Sequence, residues 1–185
     1  MIYLTSDTHF CHDREYIYQA RGFNSIEEHD ENIVKNWNSV VNPDDEVYLL
    51  GDVILMNTEY GLRYLQQLNG KIHIIRGNHD MDSRAKRYIT LPNVVEVVYA
   101  TMITYKKRNF YLSHYPTLVT NDIDKTPYKK NIRNLHGHTH QTNKFYNENP
   151  YMYCVCLDAH NNYPVSLEQI HEDIKTQIEK REKEN

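Results

Sequence analysis

Three β-prone runs, Ile2 to Ser6, Val47 to Leu50 and Ile72 to Ile75, are separated by stretches of helical periodicity, and this alternation constrains the fold more than any other feature. Between the first two runs, the stretch around Glu15 to Ala20 reads as helical. Ser25 with Glu28 then makes a capping box for a longer helix reaching about Val41. Ile26, Ile33, Trp37, Val40 and Val41 form its apolar stripe, and Pro43 breaks it. Between the second and third runs, residues 58–69 set Leu62, Leu65 and Leu68 at helical spacing ahead of Gly70. Strands joined through helices pair in parallel, with the helices on their faces.

The second half reads differently. Val94 to Val98, Met102 to Tyr105, Phe110 to Ser113, Ile132 to His136 and Tyr151 to Leu157 are short strands joined by turns, with KKRN as a hairpin turn. Ser166 with Gln169 caps a last helix carrying Leu167, Ile170, Ile174 and Ile178. A chain of 185 residues buries one core comfortably and two poorly. The expectation is one α/β domain over residues 1–185, two sheets with helices outside, and a frayed charged tail at 179–185.

Several function classes are disfavoured. A net charge of −4, with only short basic runs (Arg84, Lys86 and Arg87; Lys106 to Arg108; Lys129 and Lys130), leaves no footprint for tight nucleic-acid binding. No window approaches the roughly 20 apolar residues of a membrane span. The start, MIYLTSDTHF, has no secretory pattern, so a cytoplasmic location is expected. Three cysteines make no disulfide framework, and Cys154 and Cys156 are expected to pack as small apolar groups on one strand face. The oligomeric state is not legible.

The chemistry lies where the strands stop. Asp7-Thr8-His9, Gly51-Asp52, Gly77-Asn78-His79-Asp80, His114 and Gly137-His138-Thr139-His140 each follow a β-prone run at once. Strand ends along one sheet edge are where α/β folds build sites. In D-x-H and H-x-H, residues two apart in extended chain point the same way and can reach one ion. Imidazole, carboxylate and one amide suit Mn, Fe, Zn, Ni or Co rather than Ca or Mg. The ligands are too many for one ion, and divide into two sets if one carboxylate bridges.

These five blocks, in this order, resemble the calcineurin-like metallophosphoesterase superfamily, whose pattern is D-x-H, G-D, G-N-H-D/E, H and G-H-x-H. HDENIVKNWNSVV-PDDEVYLLGD and the ending LDAH-YPVSLEQI further resemble its small, cap-free bacterial and phage members. The resemblance implies a four-layer α/β/β/α sandwich of two mixed sheets flanked by helices. It also implies two divalent transition-metal ions, manganese first and Fe, Zn, Ni or Co as alternatives, hydrolysing a phosphoester through a metal-bridging hydroxide. Asp7, His9 and His140 correspond to ligands of the first ion, and Asn78, His114 and His138 to those of the second. Asp52 corresponds to the bridge and His79 to the catalytic imidazole near the leaving group. Leu55 stands where the Ser/Thr protein phosphatases of this superfamily carry a further aspartate, which leaves Asp80 as the candidate partner for His79.

Other residues stay open. His12 lies in the first loop, within reach of substrate. Arg76 is placed to pair with phosphate or with Asp80, Asp158 to orient a ligand histidine, and His136 behind the ligands. His29, His73, His160 and His171 are read as structural. A small phosphodiester, nucleotide-type included, is preferred over a phosphomonoester; the alternatives are a catalytically silent scaffold of the same fold and a nuclease.

Overall fold

The computed structural model describes residues 1–118 and 132–184, so Lys129 and Lys130 lie outside the described residues. The first sheet contains β1 (Ile2–Thr5), β2 (Glu46–Leu49), β3 (Lys71–Ile75), β4 (Val94–Val98) and β9 (Val165–Ser166), in the order β4-β3-β2-β1-β9. The second contains β5 (Ala100–Tyr105), β6 (Arg108–Ser113), β7 (Arg133–His136) and β8 (Met152–Cys154), in the order β5-β6-β7-β8. Both are mixed. β1 to β4 run parallel while β9 is antiparallel to β1. β5 and β6 are antiparallel while β7 is parallel to both β6 and β8.

The central strands of the first sheet are apolar on both faces, as burial on both sides requires. After the short α1 (Glu15–Tyr18), α2 (Ile26–Val40) and α3 (Thr58–Gln66) contribute Ile33, Trp37, Leu62 and Leu65, which pack over Tyr3, Val47, Leu49, Ile72 and Ile74. From the other face Leu4, Leu50 and Ile75 meet Phe110, Leu112, Leu135 and Tyr153 of the second sheet. Helix α5 (Leu167–Glu184) lays Leu167, Ile170 and Ile174 into that second core, while its Asp173 accepts a hydrogen bond from the Tyr153 hydroxyl at 2.6 Å. The chain is thus an α/β fold of two mixed sheets with flanking helices.

The start of α2 is capped by Ser25 Oγ, which accepts from the Glu28 amide at 3.1 Å; the Glu28 carboxylate reaches one residue further back, to the Asn24 amide at 2.8 Å. Lys106 and Lys107 both adopt positive φ, 47° and 61°, the conformation a two-residue hairpin turn demands.

One expectation changes. Val94–Val98 does not join the later strands but extends the first sheet, parallel to β3. The passage between them is α4 (Asp82–Tyr88), a short charged helix whose one buried side chain, Tyr88, gives little periodicity to read. Helix α5 continues into the charged tail as far as Glu184, where Glu, Lys and Arg favour helix and the Arg181 guanidinium hydrogen-bonds the Glu148 carbonyl. No helix of the described residues is long and apolar enough to cross a membrane.

Candidate active site

The strand ends meet at one edge because their loops are sewn together by backbone hydrogen bonds. The amides of Asp7, His9 and Phe10 donate to the carbonyls of Gly51, Asp52 and Val53 at 2.9, 3.0 and 2.9 Å, and Gly137 N donates to His114 O at 2.9 Å. Asp7, His9, Asp52, His138 and His140 all hold positive φ, at 59°, 50°, 51°, 69° and 48°. Left-handed backbone costs a non-glycine residue about 1–2 kcal/mol, and such strain gathers at functional sites.

Two glycines are required by close approach. A Cβ on Gly77 would stand 2.2 Å from Asp52 Oδ1, and one on Gly137 2.6 Å from Asp7 Oδ2. Neither position has room for a side chain while the carboxylate keeps its place.

Seven side chains converge here. Asp7, His9 and His140 form one set and Asp52, His114 and His138 another, with the ligand atoms of each set within 4.8 Å of one another. Asn78 Oδ1 lies 3.0 Å from His114 Nε2 and so adjoins the second set. Asp52 Oδ2 lies 3.5 Å from His114 Nε2 and 3.8 Å from His9 Nε2, which puts one carboxylate oxygen between the sets. Asp7 Oδ1 and His9 Nε2 are buried without a hydrogen-bond partner, though they face each other across 3.8 Å. Buried polar atoms are rarely left unsatisfied, and a cation between these two would satisfy both. The donor set therefore fits a pair of divalent ions.

Three of the four candidate ligand imidazoles are also held at the far nitrogen, which fixes ring orientation. His114 Nδ1 donates to Leu50 O at 2.8 Å, His140 Nδ1 lies 3.1 Å from Asp158 Oδ2, and His9 Nδ1 shares a 2.8 Å hydrogen bond with His12 Nδ1. His12 thus backs a ligand. Asp158 is itself clamped by Arg21, whose Nε and Nη2 donate to its two oxygens at 3.1 and 2.9 Å, while Nη2 also donates to the Asp7 carbonyl at 2.8 Å. We expect Asp158→Asn to weaken metal binding by about 10–100-fold, read by competition with a chelating dye; an unchanged affinity would mean the 3.1 Å contact does not orient His140.

Asp80 does not face the His79 imidazole. Its Oδ2 accepts from the amides of Asp52 and Gly77, each at 2.8 Å, and its Oδ1 from Val53 N at 3.2 Å and the Tyr88 hydroxyl at 2.9 Å. Asp80 braces the Asp52 turn. Arg76 also turns away from the ligand sets: Nε and Nη2 donate to the Asp80 carbonyl at 2.9 and 2.6 Å, and Nη1 to the Tyr99 hydroxyl at 2.7 Å. His79 stays exposed at the cluster, its amide donating to Asp52 Oδ1 at 2.9 Å and its carbonyl accepting from Arg84 Nη1 at 2.8 Å. His136 is buried behind it all, with Nδ1 2.9 Å from Gly137 O.

Two contributors carry no sequence signal. Arg21 is a lone arginine in a loop. Cys156 donates from Sγ to Asp7 Oδ2 at 3.2 Å, a contact between residues 149 apart in sequence. Of the basic runs, Arg87 pairs with Glu59 and Lys106 with Glu168, so both serve the fold.

Electrostatics hold most of the set in ligating form. Burial would raise the Asp7 and Asp52 carboxyls, but neighbouring imidazoles (His9, His140 and His114 at Asp7, His114 at Asp52) hold both below the usual range, as carboxylates. Burial lowers His9 and His138 towards neutral imidazole. His140 and His114 are the exceptions. Burial opposes the charge on both, but the Asp158 hydrogen bond and the Asp7 carboxylate raise His140, and the Asp52 hydrogen bond and the Asp7 and Asp52 carboxylates lift His114 to about 9. An ion bound here would displace such a proton, so affinity is expected to rise with pH across this range.

Fold and ligand sets together define the class: an α/β protein with a candidate metallohydrolase centre at its strand ends. Residues 1–154 match the calcineurin-like phosphoesterase superfamily domain, and the chain belongs to that family. An uncharacterised protein of Methanocaldococcus jannaschii is 34% identical over 177 residues, 91% of this chain and 88% of that protein. The gene 66 protein of Mycobacterium phage L5 is 37% identical over 82 residues, 42% of this chain and 39% of that protein. A solved structure of a protein of unknown function from Aquifex aeolicus superposes with a TM-score of 0.68 at 25% identity, covering 93% of this chain and 98% of that one.

Proposed function

We propose that this chain is a two-metal phosphodiesterase acting on small or nucleotide-type diesters. The observation that carries the reading is Asp52 Oδ2 standing between His9 and His114, so that two three-ligand sets share one carboxylate. The mixed imidazole, carboxylate and amide donor set suits a transition metal, with manganese our first choice and Fe, Zn, Ni or Co as alternatives. Three unpaired thiols suit a reducing compartment such as the cytoplasm.

When bound, the two ions supply Lewis acidity to the phosphoryl oxygens and an activated water for in-line attack. The protein supplies the rest. Asp7 and Asp52 contribute two negative charges and the imidazoles and Asn78 none, so the loaded centre stays positive enough to hold a diester anion. Asn78, His79 and His138 are exposed, which leaves that side open to substrate. The His79 turn is tied to the Asp52 carboxylate through its own amide. His79 gives a proton to the departing alkoxide as the P–O bond breaks, and regains one from solvent.

Protein supplied with Mn²⁺ is expected to hydrolyse bis(p-nitrophenyl) phosphate, to lose the activity to a chelator and to regain it on metal return. Failure of the metal-loaded protein to turn over any phosphoester in a broad screen would favour the silent scaffold.

A further inference from the structure

Two tyrosines stand beside the ligand sets with their rings in solvent. Tyr115 follows His114 directly and is 50% exposed. Its ring centroid lies 5.1 Å from that of His114 and 4.7 Å from that of His138, both edge-on. On the other set, Tyr16 is 68% exposed and lies edge-on to His12 at 5.9 Å, and His12 stacks on His9 at 5.1 Å. Each candidate ion set therefore carries one outward aromatic, reached through its own histidines. Tyr60 and Tyr99 are as exposed, at 56% and 71%, so it is the place beside the candidate ion sets that singles this pair out.

The backbone at Tyr115 is also held before any ligand arrives. Its carbonyl accepts from Ser113 Oγ at 2.8 Å and from Thr117 Oγ1 at 3.0 Å, closing a tight turn around the residue. With the backbone of the turn already ordered, stacking on the ring costs side-chain freedom alone. The ring thus stands within 5.1 Å of both candidate ligand histidines of the second set while half of it meets solvent.

We propose that Tyr115 and Tyr16 are specificity-determining residues that stack the organic group of the substrate, and that the preferred substrates are phosphoesters bearing a nucleobase. The proposal rests on the phosphodiesterase reading and deepens it. Stacking of a base on an aromatic side chain is tolerant of base identity, so no preference among purines and pyrimidines follows.

The test compares two diesters that release the same p-nitrophenolate, thymidine 5′-(p-nitrophenyl phosphate) and ethyl p-nitrophenyl phosphate, so that leaving-group chemistry cancels. Wild type is expected to prefer the thymidine ester in kcat/KM by about 10-fold or more, mostly through KM. Tyr115→Ala and Tyr16→Ala are each expected to reduce that ratio several-fold, with Tyr115→Phe retaining it. A purely structural role predicts equal losses on both esters and an unchanged ratio, which would overturn the proposal. Calorimetric binding of AMP and methyl phosphate to the metal-loaded protein provides a readout without turnover. A preference for AMP that collapses in both alanine variants supports stacking even if hydrolysis fails, whereas equal affinities in wild type overturn it. Loss of hydrolysis with that preference intact would count against the phosphodiesterase reading alone.

Discussion

Replacing His79 by alanine is expected to slow esters with poor alkoxide leaving groups by about 10²–10⁴-fold, while p-nitrophenolate esters lose far less. The asymmetry follows from the proposed role: a proton donor matters in proportion to how badly the leaving oxygen needs the proton. Metal content is expected to stay near wild type, because this side chain is exposed and belongs to neither ligand set, while the backbone amide that meets Asp52 survives the substitution. His114→Ala and His138→Ala differ in kind. Each removes a ligand, so metal binding falls and all esters suffer alike. Rates across a series of esters with graded leaving-group pKa separate the two patterns. An equal loss at every leaving group would make His79 a phosphate-positioning residue instead.

The site was more legible than its support. Potential ligands crowding the ends of β-prone runs form a pattern of residue type and place, so Asp7, His9, Asp52, Asn78, His114, His138 and His140 stand out as candidates in the sequence, and the fold brings them together. What holds them does not stand out. Arg21 has no local signature, and its clamp on Asp158 joins residues 137 apart in sequence. Cys154 and Cys156 were expected to pack as apolar groups. Both are buried, but Cys156 also donates to Asp7, a partner that no local spacing specifies. Asp80 shows the same limit. Adjacency suggested His79 as its partner, whereas the fold turns its oxygens back onto the Asp52 and Gly77 amides. At the level of the fold, the helix periodicities of α2 and α3 mark themselves. The run Val94–Val98 announces a strand without saying which sheet it joins, because pairing with β3 is decided by the intervening helix α4.

Asp52→Ala is expected to have the broadest effect of any single substitution. Two dications about 4 Å apart repel by roughly 17 kcal/mol even at an effective dielectric of about 20, and the negative charge between them is what offsets this. Asp52 is the carboxylate within 3.8 Å of His9 and 3.5 Å of His114, and it also receives the His79 amide. Its loss is expected to empty most of both sets and to lower activity on every ester by on the order of 10³-fold or more. Asp52→Asn, which keeps the shape and removes the charge, is expected to show the same metal loss with the circular dichroism of wild type.

The central claim is that one carboxylate joins two ion sites, and the metal content of the protein tests it most directly. Wild type loaded with Mn²⁺, freed of excess metal and analysed by elemental mass spectrometry is expected to carry close to two ions per chain, and the Asp52→Ala variant far fewer than one. A wild-type content of one ion or less under metal-replete conditions, or an Asp52→Ala variant that keeps one full equivalent, would contradict the shared-carboxylate centre.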